Sequence, residues 1–212
     1  MVELGMPFSD PLADGPIIQE SSQVAIENGV TIDWILKTVA TIRRESDIPI
    51  ALMGYINPII NYGLSAFIDA CKEAGVDGLI IPDLPLEEAG EYVDLARRNK
   101  ISPILLVAPN TSDERIVKIS KMAVDLIYCV AILGITGSSS AGRDELSSYL
   151  TQVMENSKCP FVVGFGIKNR IDVVEINKIA HGVVVGSAII NEIKNSNNPV
   201  EAVRNYIKKL TK

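Results

Sequence analysis

Val2-Glu-Leu-Gly-Met-Pro-Phe-Ser-Asp-Pro-Leu-Ala-Asp-Gly-Pro16 decides how the rest of the chain is read. It starts as a short apolar strand, breaks at Gly5 and Pro7, and continues as a loop. Three carboxylates lie along it: Glu3, Asp10 and Asp14. Glu3 is the unusual one, because Val2 and Leu4 flank it within the apolar run. A carboxylate turned into a packed interior costs roughly several kcal/mol unless something compensates. In a cleft, such a group is a candidate acid or base with a perturbed pKa. The competing reading has Glu3 facing solvent or paired with an arginine, and the strand pattern weighs the two equally.

Outward from this stretch, the unit of strand, loop and helix recurs. The pattern predicts helices over 17–28, ended by Gly29, and over 32–42, with Thr31 as cap and Ile32, Ile35, Leu36, Val39 and Ile42 at helical spacing. Trp34 in that helix reads as ordinary packing. A continuous apolar strand follows over 49–53, then a loop over 54–59, a helix over 64–74 stopped by Gly75, and a strand over 78–81 ending in Pro82-Asp-Leu-Pro85. Next come a helix over 86–99, a strand over 103–107 and a helix over 113–122, with Thr111 and Glu114 at capping-box spacing. A strand over 125–130 runs into a Gly- and Ser-rich segment over 131–142, then a helix over 144–156. A strand over 161–163 is closed by Gly164-Phe-Gly166, with a helix near 171–179. A last strand over 182–185 meets Gly186-Ser187, and helices over 188–193 and 200–210 finish the chain.

Strands starting roughly 20–30 residues apart, with helices between them, indicate an α/β fold of parallel βαβ units. Seven strands fit an open doubly wound sheet slightly better than a closed barrel of eight. The 212 residues show no linker or low-complexity tract and read as one domain. The chain is 47% hydrophobic and carries a net charge of −6 with the two signs interspersed, which argues for a globular protein and against nucleic acid as its main partner. Cys71, Cys129 and Cys159 are widely spaced without metal-ligand spacing, and read as buried thiols in a reducing compartment. No apolar run has a membrane-spanning length, and the N-terminus lacks a signal-peptide layout, so a cytoplasmic location without membrane contact is expected.

In parallel α/β folds the loops after the strands hold the site. Gly-rich turns before helices over 133–142, at Gly164–Ile167 and at Gly186-Ser187 expose backbone N–H groups able to hold a phosphate. Lone His181 reads as a surface residue, and no Ser/His/Asp set or metal cluster is present in the pattern.

The opening motif E-L-G-M-P-F-S-D-P-L-A-D-G-P closely resembles the signature of the tryptophan synthase α subunit, and the resemblance continues to the C-terminus. It implies a TIM (β/α)8-type barrel, here with seven βα units, the family's first strand and helix falling before Val2. It implies cleavage of indole-3-glycerol phosphate to indole and glyceraldehyde 3-phosphate, a retro-aldol lyase step of tryptophan biosynthesis. By the same resemblance Glu3, Asp14 and Tyr128 are catalytic residues, Tyr128 being the tyrosine near the substrate. Gly137, Gly166, Gly186 and Ser187 hold the phosphate, while Tyr55, Ile80, Thr136 and Phe165 line the indole pocket. Phe8, Asp10 and Pro11 face a β subunit in an α2β2 heterotetramer, and Asp83 has a signalling role. No cofactor is expected on this chain, pyridoxal phosphate being expected only on the β partner.

The residue types suit the reaction. Glu3 can serve as general acid and base, and an ionised Asp14 can attract the indole N–H as positive charge grows on nitrogen. Two other readings compete: a docking or allosteric subunit with impaired catalysis, and an aldolase or isomerase acting on another phosphorylated substrate. The absent first unit also implies unpaired strand edges at 2–4 and 182–185.

Overall fold

A computed structural model describes residues 1–123, 125–131, 140–164, 166–167 and 169–211. Among these residues the strands are β1 (Val2–Gly5), β2 (Ile50–Met53), β3 (Gly78–Ile80), β4 (Ser102–Val107), β5 (Ile127–Val130), β6 (Phe161–Gly164) and β7 (Gly182–Val184). The helices are α1 (Pro16–Glu27), α2 (Ile32–Ile42), α3 (Ile56–Tyr62), α4 (Leu64–Ala74), α5 (Gly90–Arg98), α6 (Asp113–Ala123), α7 (Ser140–Asn156), α8 (Arg170–Ile176), α9 (Ser187–Lys194) and α10 (Pro199–Thr211). Strand order follows chain order from β1 to β7. A doubly wound sheet reverses its order part-way, so this topology is singly wound and corrects the slight preference of the pattern for an open sheet.

The chain divides into two compact units, residues 1–105 with 122–125, and residues 106–121 with 126–212. In the first, β1 pairs with β2, β2 with β3 and β3 with β4, all parallel. The register aligns Glu3, Ala51, Gly78 and Ser102 in one row, then Leu4, Leu52, Leu79 and Pro103 in the next. Ile50, Ala51, Leu52, Leu79 and Ile80 are completely inaccessible, as continuous apolar strands covered on both faces require. The edge strand β1 differs, with Val2 38% exposed. Arg43, just past α2, ties the ends of β2 and β3. Its guanidinium donates to Gly75 O at 2.8 Å, to Ile48 O at 2.6 Å and to the Asp77 carboxylate. Asp77 Oδ2 also accepts from Ile50 N–H at 2.8 Å.

In the second unit β5 pairs with β6 and β6 with β7, again parallel. Tyr128 aligns with Val162 and Gly182, and Val130 with Gly164 and Val184. Ile127, Cys129, Phe161 and Val163 form the buried centre, and the buried Tyr149 of α7 donates to Val107 O at 2.7 Å. Cys71, Cys129 and Cys159 are all buried free thiols, and burial pushes Cys71 and Cys129 up to about 12.

Element positions match the sequence pattern, with instructive exceptions. The predicted loop over 54–59 contains the start of α3, because Pro58 sits in the helix's first turn, where its missing N–H would have no intrahelical acceptor. α5 begins at Gly90, not 86, since Glu88 and Ala89 donate to Pro85 O and Leu86 O in tight turns. Thr111 does not cap α6: its hydroxyl accepts from Ala108 N–H, and Ser112 Oγ accepts from Arg115 N–H instead. Trp34 is 54% exposed on the face of α2 opposite Ile35, Leu36 and Val39, correcting its reading as ordinary packing. Thr31 does cap that helix, accepting from Trp34 N–H at 3.2 Å.

Candidate active site

Glu3 lies in the middle of β1, half-buried, in register with the fully buried Ala51. Burial raises its carboxyl from the ordinary 4.5 to about 7, against a smaller opposing pull from the nearby N-terminal ammonium. A carboxyl raised to this range can both give and take a proton near neutrality. The competing reading of Glu3 as an arginine partner is not borne out, since no ion pair to it occurs among the described residues.

The loop after β1 folds back on the end of β2. Met6, buried, donates its N–H to Met53 O at 2.7 Å, and its side chain occupies the space a Cβ at Gly54 would need. Asp14, half-buried, accepts from the Tyr55 hydroxyl at 2.9 Å, and that hydroxyl accepts from Ala13 N–H at 2.9 Å. Burial raises the Asp14 carboxyl, and the Tyr55 hydrogen bond opposes that rise. Gln19 of α1 donates to Asp14 O at 2.9 Å, a clamp no sequence motif announces. Tyr55 is itself buried, and Ile80 of β3 is completely buried. Asp83 accepts from Ile56 N–H at 2.9 Å, capping α3 through space. Phe8 is half-buried with its ring 5.3 Å from that of Tyr55, so it supports the site as well as its loop. Asp10 is exposed and accepts from Ser9, Pro11 is half-buried, and Leu12 at the loop tip is 94% exposed.

In the second unit Tyr128 is 4% exposed, and its hydroxyl lies over Gly164, only 1.9 Å from where a Cβ on that glycine would be. Gly164 was legible in the sequence only as a turn residue; its role as the seat of the tyrosine is tertiary. Gly166 follows β6 with φ +84, in the left-handed region where a side chain is disfavoured. Gly186 is the residue preceding α9, and Ser187 begins that helix; both are exposed. The first-turn N–H groups there have no intrahelical acceptor, a favourable arrangement for an anion. Because β6 and β7 are paired as far as Gly164 and Val184, Gly166 and Gly186 follow neighbouring strand ends. Gly137, Thr136 and Phe165 lie outside the described residues. An open groove of about 520 Å³ between Pro109 and α7, carrying Asp144 and Glu145, contains none of the predicted site residues.

The family model for the tryptophan synthase alpha chain matches residues 1–212. The chain belongs to the tryptophan synthase alpha chain family. The tryptophan synthase alpha chain of Petrotoga mobilis is 44% identical over 212 residues, covering 100% of this chain and 82% of the relative. That of Chlorobium limicola is 42% identical over 213 residues, covering 96% and 80%. The solved tryptophan synthase complex of Pyrococcus furiosus contains a chain that aligns with a TM-score of 0.90 at 36% identity, covering 99% of this chain and 85% of that one. The fold is thus α/β of TIM-barrel type, with seven parallel strands among the described residues. The family also makes the chain a lyase of tryptophan biosynthesis, and the docking-only reading is not favoured. Among the described residues no helix is long and apolar enough to cross a membrane.

Proposed function

We propose that this alpha chain cleaves indole-3-glycerol phosphate with Glu3 as the proton carrier and Asp14 as the electrostatic partner of the indole nitrogen. The observation that carries this is the half-buried carboxylate at the centre of β1, raised to about 7 and followed by a loop that fixes a second carboxylate. Protonated Glu3 delivers its proton to the indole carbon that leaves; the resulting carboxylate accepts the proton of the glycerol hydroxyl as the carbon–carbon bond breaks. The electron pair of that bond returns to the indole ring, and the glycerol carbon becomes the aldehyde of glyceraldehyde 3-phosphate. Asp14, ionised, stabilises the positive charge that protonation places on the indole nitrogen. Gly166, Gly186 and Ser187 hold the phosphate, positioning the substrate at the end remote from the reacting bond. Tyr55 and Ile80 wall the ring, and Tyr128 completes the catalytic set beside the substrate.

Two carboxylates suffice for these transfers, which supports a cofactor-free subunit. The span of the family model, residues 1–212, supports assigning the whole chain to a single barrel-type domain. The solved Pyrococcus furiosus a2b2 complex supports a β subunit as partner. The loop residues Phe8, Asp10 and Pro11 are assigned to that interface in this reading. Three reduced, buried cysteines support a cytoplasmic location. Indole release from indole-3-glycerol phosphate, with and without a β subunit, tests the reading. Glu3→Gln should abolish it; a variant keeping more than about a tenth of the rate, a deficit below about 1.4 kcal/mol, would remove Glu3 as the proton carrier.

A further inference from the structure

The Asp14 carboxylate sits on a loop, yet the reaction needs it at a fixed place and angle. What the loop itself supplies is modest: Asp14 N–H donates to Pro11 O at 3.1 Å, and Gln19 holds the Asp14 carbonyl, not the carboxylate. The single side-chain bond to the carboxylate among the described residues comes from Tyr55. Tyr55, by contrast, is anchored on rigid elements. It is the residue before α3, it is 6% exposed, and Phe8 stacks against its ring. Residues on either side are pinned as well: Gly54 N–H donates to Ile80 O at 3.0 Å, and Ile56 N–H to Asp83. The direction of the hydroxyl proton is settled by chemistry. Ala13 N–H can only donate, so it takes a lone pair of the Tyr55 oxygen and the phenolic proton is left for Asp14 Oδ2.

We propose that Tyr55 is the positioning residue of the reaction, its hydroxyl fixing Asp14 Oδ2 so that Oδ1 is presented to the indole N–H. This rests on the reading of Asp14 given above. It goes beyond Tyr55 as a wall of the pocket, because it assigns the work to the hydroxyl and not the ring. Carboxylates on loops reach catalytic precision only when a neighbour with a locked rotamer holds them. The bond also favours the ionised form of Asp14, the form that attracts a developing cation.

Tyr55→Phe keeps the ring, its burial and its stacking on Phe8, so the fold is retained and only the hydroxyl is lost. Its kcat for indole release should fall about 10- to 100-fold, the equivalent of one hydrogen bond to a charged group, with KM within about threefold. Without the hydroxyl the Asp14 carboxyl titrates higher, so the acidic limb of the kcat–pH profile should move to higher pH. In an Asp14→Asn background Tyr55→Phe should have little further effect, because there is no carboxylate left to orient. Additive losses in the double variant, or an unchanged kcat and acidic limb in Tyr55→Phe, would overturn the proposal while leaving Asp14 in the mechanism. Near-normal turnover by Asp14→Asn alone would instead overturn the reading beneath it.

Discussion

Replacing Glu3 by Gln should inactivate the enzyme and at the same time stabilise it, by an amount that depends on pH. The unfolded chain ionises Glu3 near the ordinary 4.5, whereas the folded chain holds its proton up to about 7. The native state thus binds more protons between these values, so stability falls as pH rises through that window and levels off above it. A difference of about 2.5 pH units corresponds to about 3 kcal/mol lost by the wild type above about pH 8, and to less than about 1 kcal/mol at about pH 5. Gln is close in shape to protonated Glu and has no charge to desolvate. The variant should therefore exceed the wild type by about 3 kcal/mol at about pH 8 and nearly match it at about pH 5. Urea unfolding followed by far-UV circular dichroism at the two pH values reads the difference directly. A gap of equal size at both, or a variant less stable at the higher value, would show that the Glu3 carboxylate is not held in a desolvating environment. The same desolvation that raises the Glu3 carboxyl is then a standing destabilisation of the fold.

Gly164→Ala would place a methyl group 1.9 Å from the Tyr128 hydroxyl and 2.3 Å from its Cζ, so it should destabilise by about 1–3 kcal/mol. Adding Tyr128→Ala should recover part of that loss, whereas strict additivity in the thermal unfolding of the double variant would contradict the packing. Arg43→Met, which touches neither Glu3 nor Asp14, should lower stability by about 1–3 kcal/mol with the rate of indole release nearly intact. An unchanged melting temperature would mean the bonds to Gly75, Ile48 and Asp77 contribute nothing net. Gly186→Val with Ser187→Ala should raise KM at least about tenfold while changing kcat less, through lost phosphate approach. Unaltered KM, and unaltered inhibition by inorganic phosphate, would take the turn before α9 out of the phosphate site.

The sequence by itself determined the kind of protein this is. Apolar strands such as 50–53 and 78–80 recur at βα spacing, and each is bounded by glycine or proline, because continuous burial demands unbroken hydrophobicity and turns demand special backbone. The opening motif carried the family, and the isolated carboxylate of Glu3 between Val2 and Leu4 was visible as an anomaly before any fold was known. Helix starts were less legible, as Ser112 in place of Thr111 shows, because adjacent hydroxyls compete for the same orphan N–H groups and only geometry selects one. Strand order, too, was decided in three dimensions, where seven units could have wound either way. So were the grip of Tyr55 on Asp14, 41 residues apart in sequence, and the seating of Tyr128 over Gly164. These contacts join residues that lie far apart along the chain, and linear spacing holds no record of which residue will meet which.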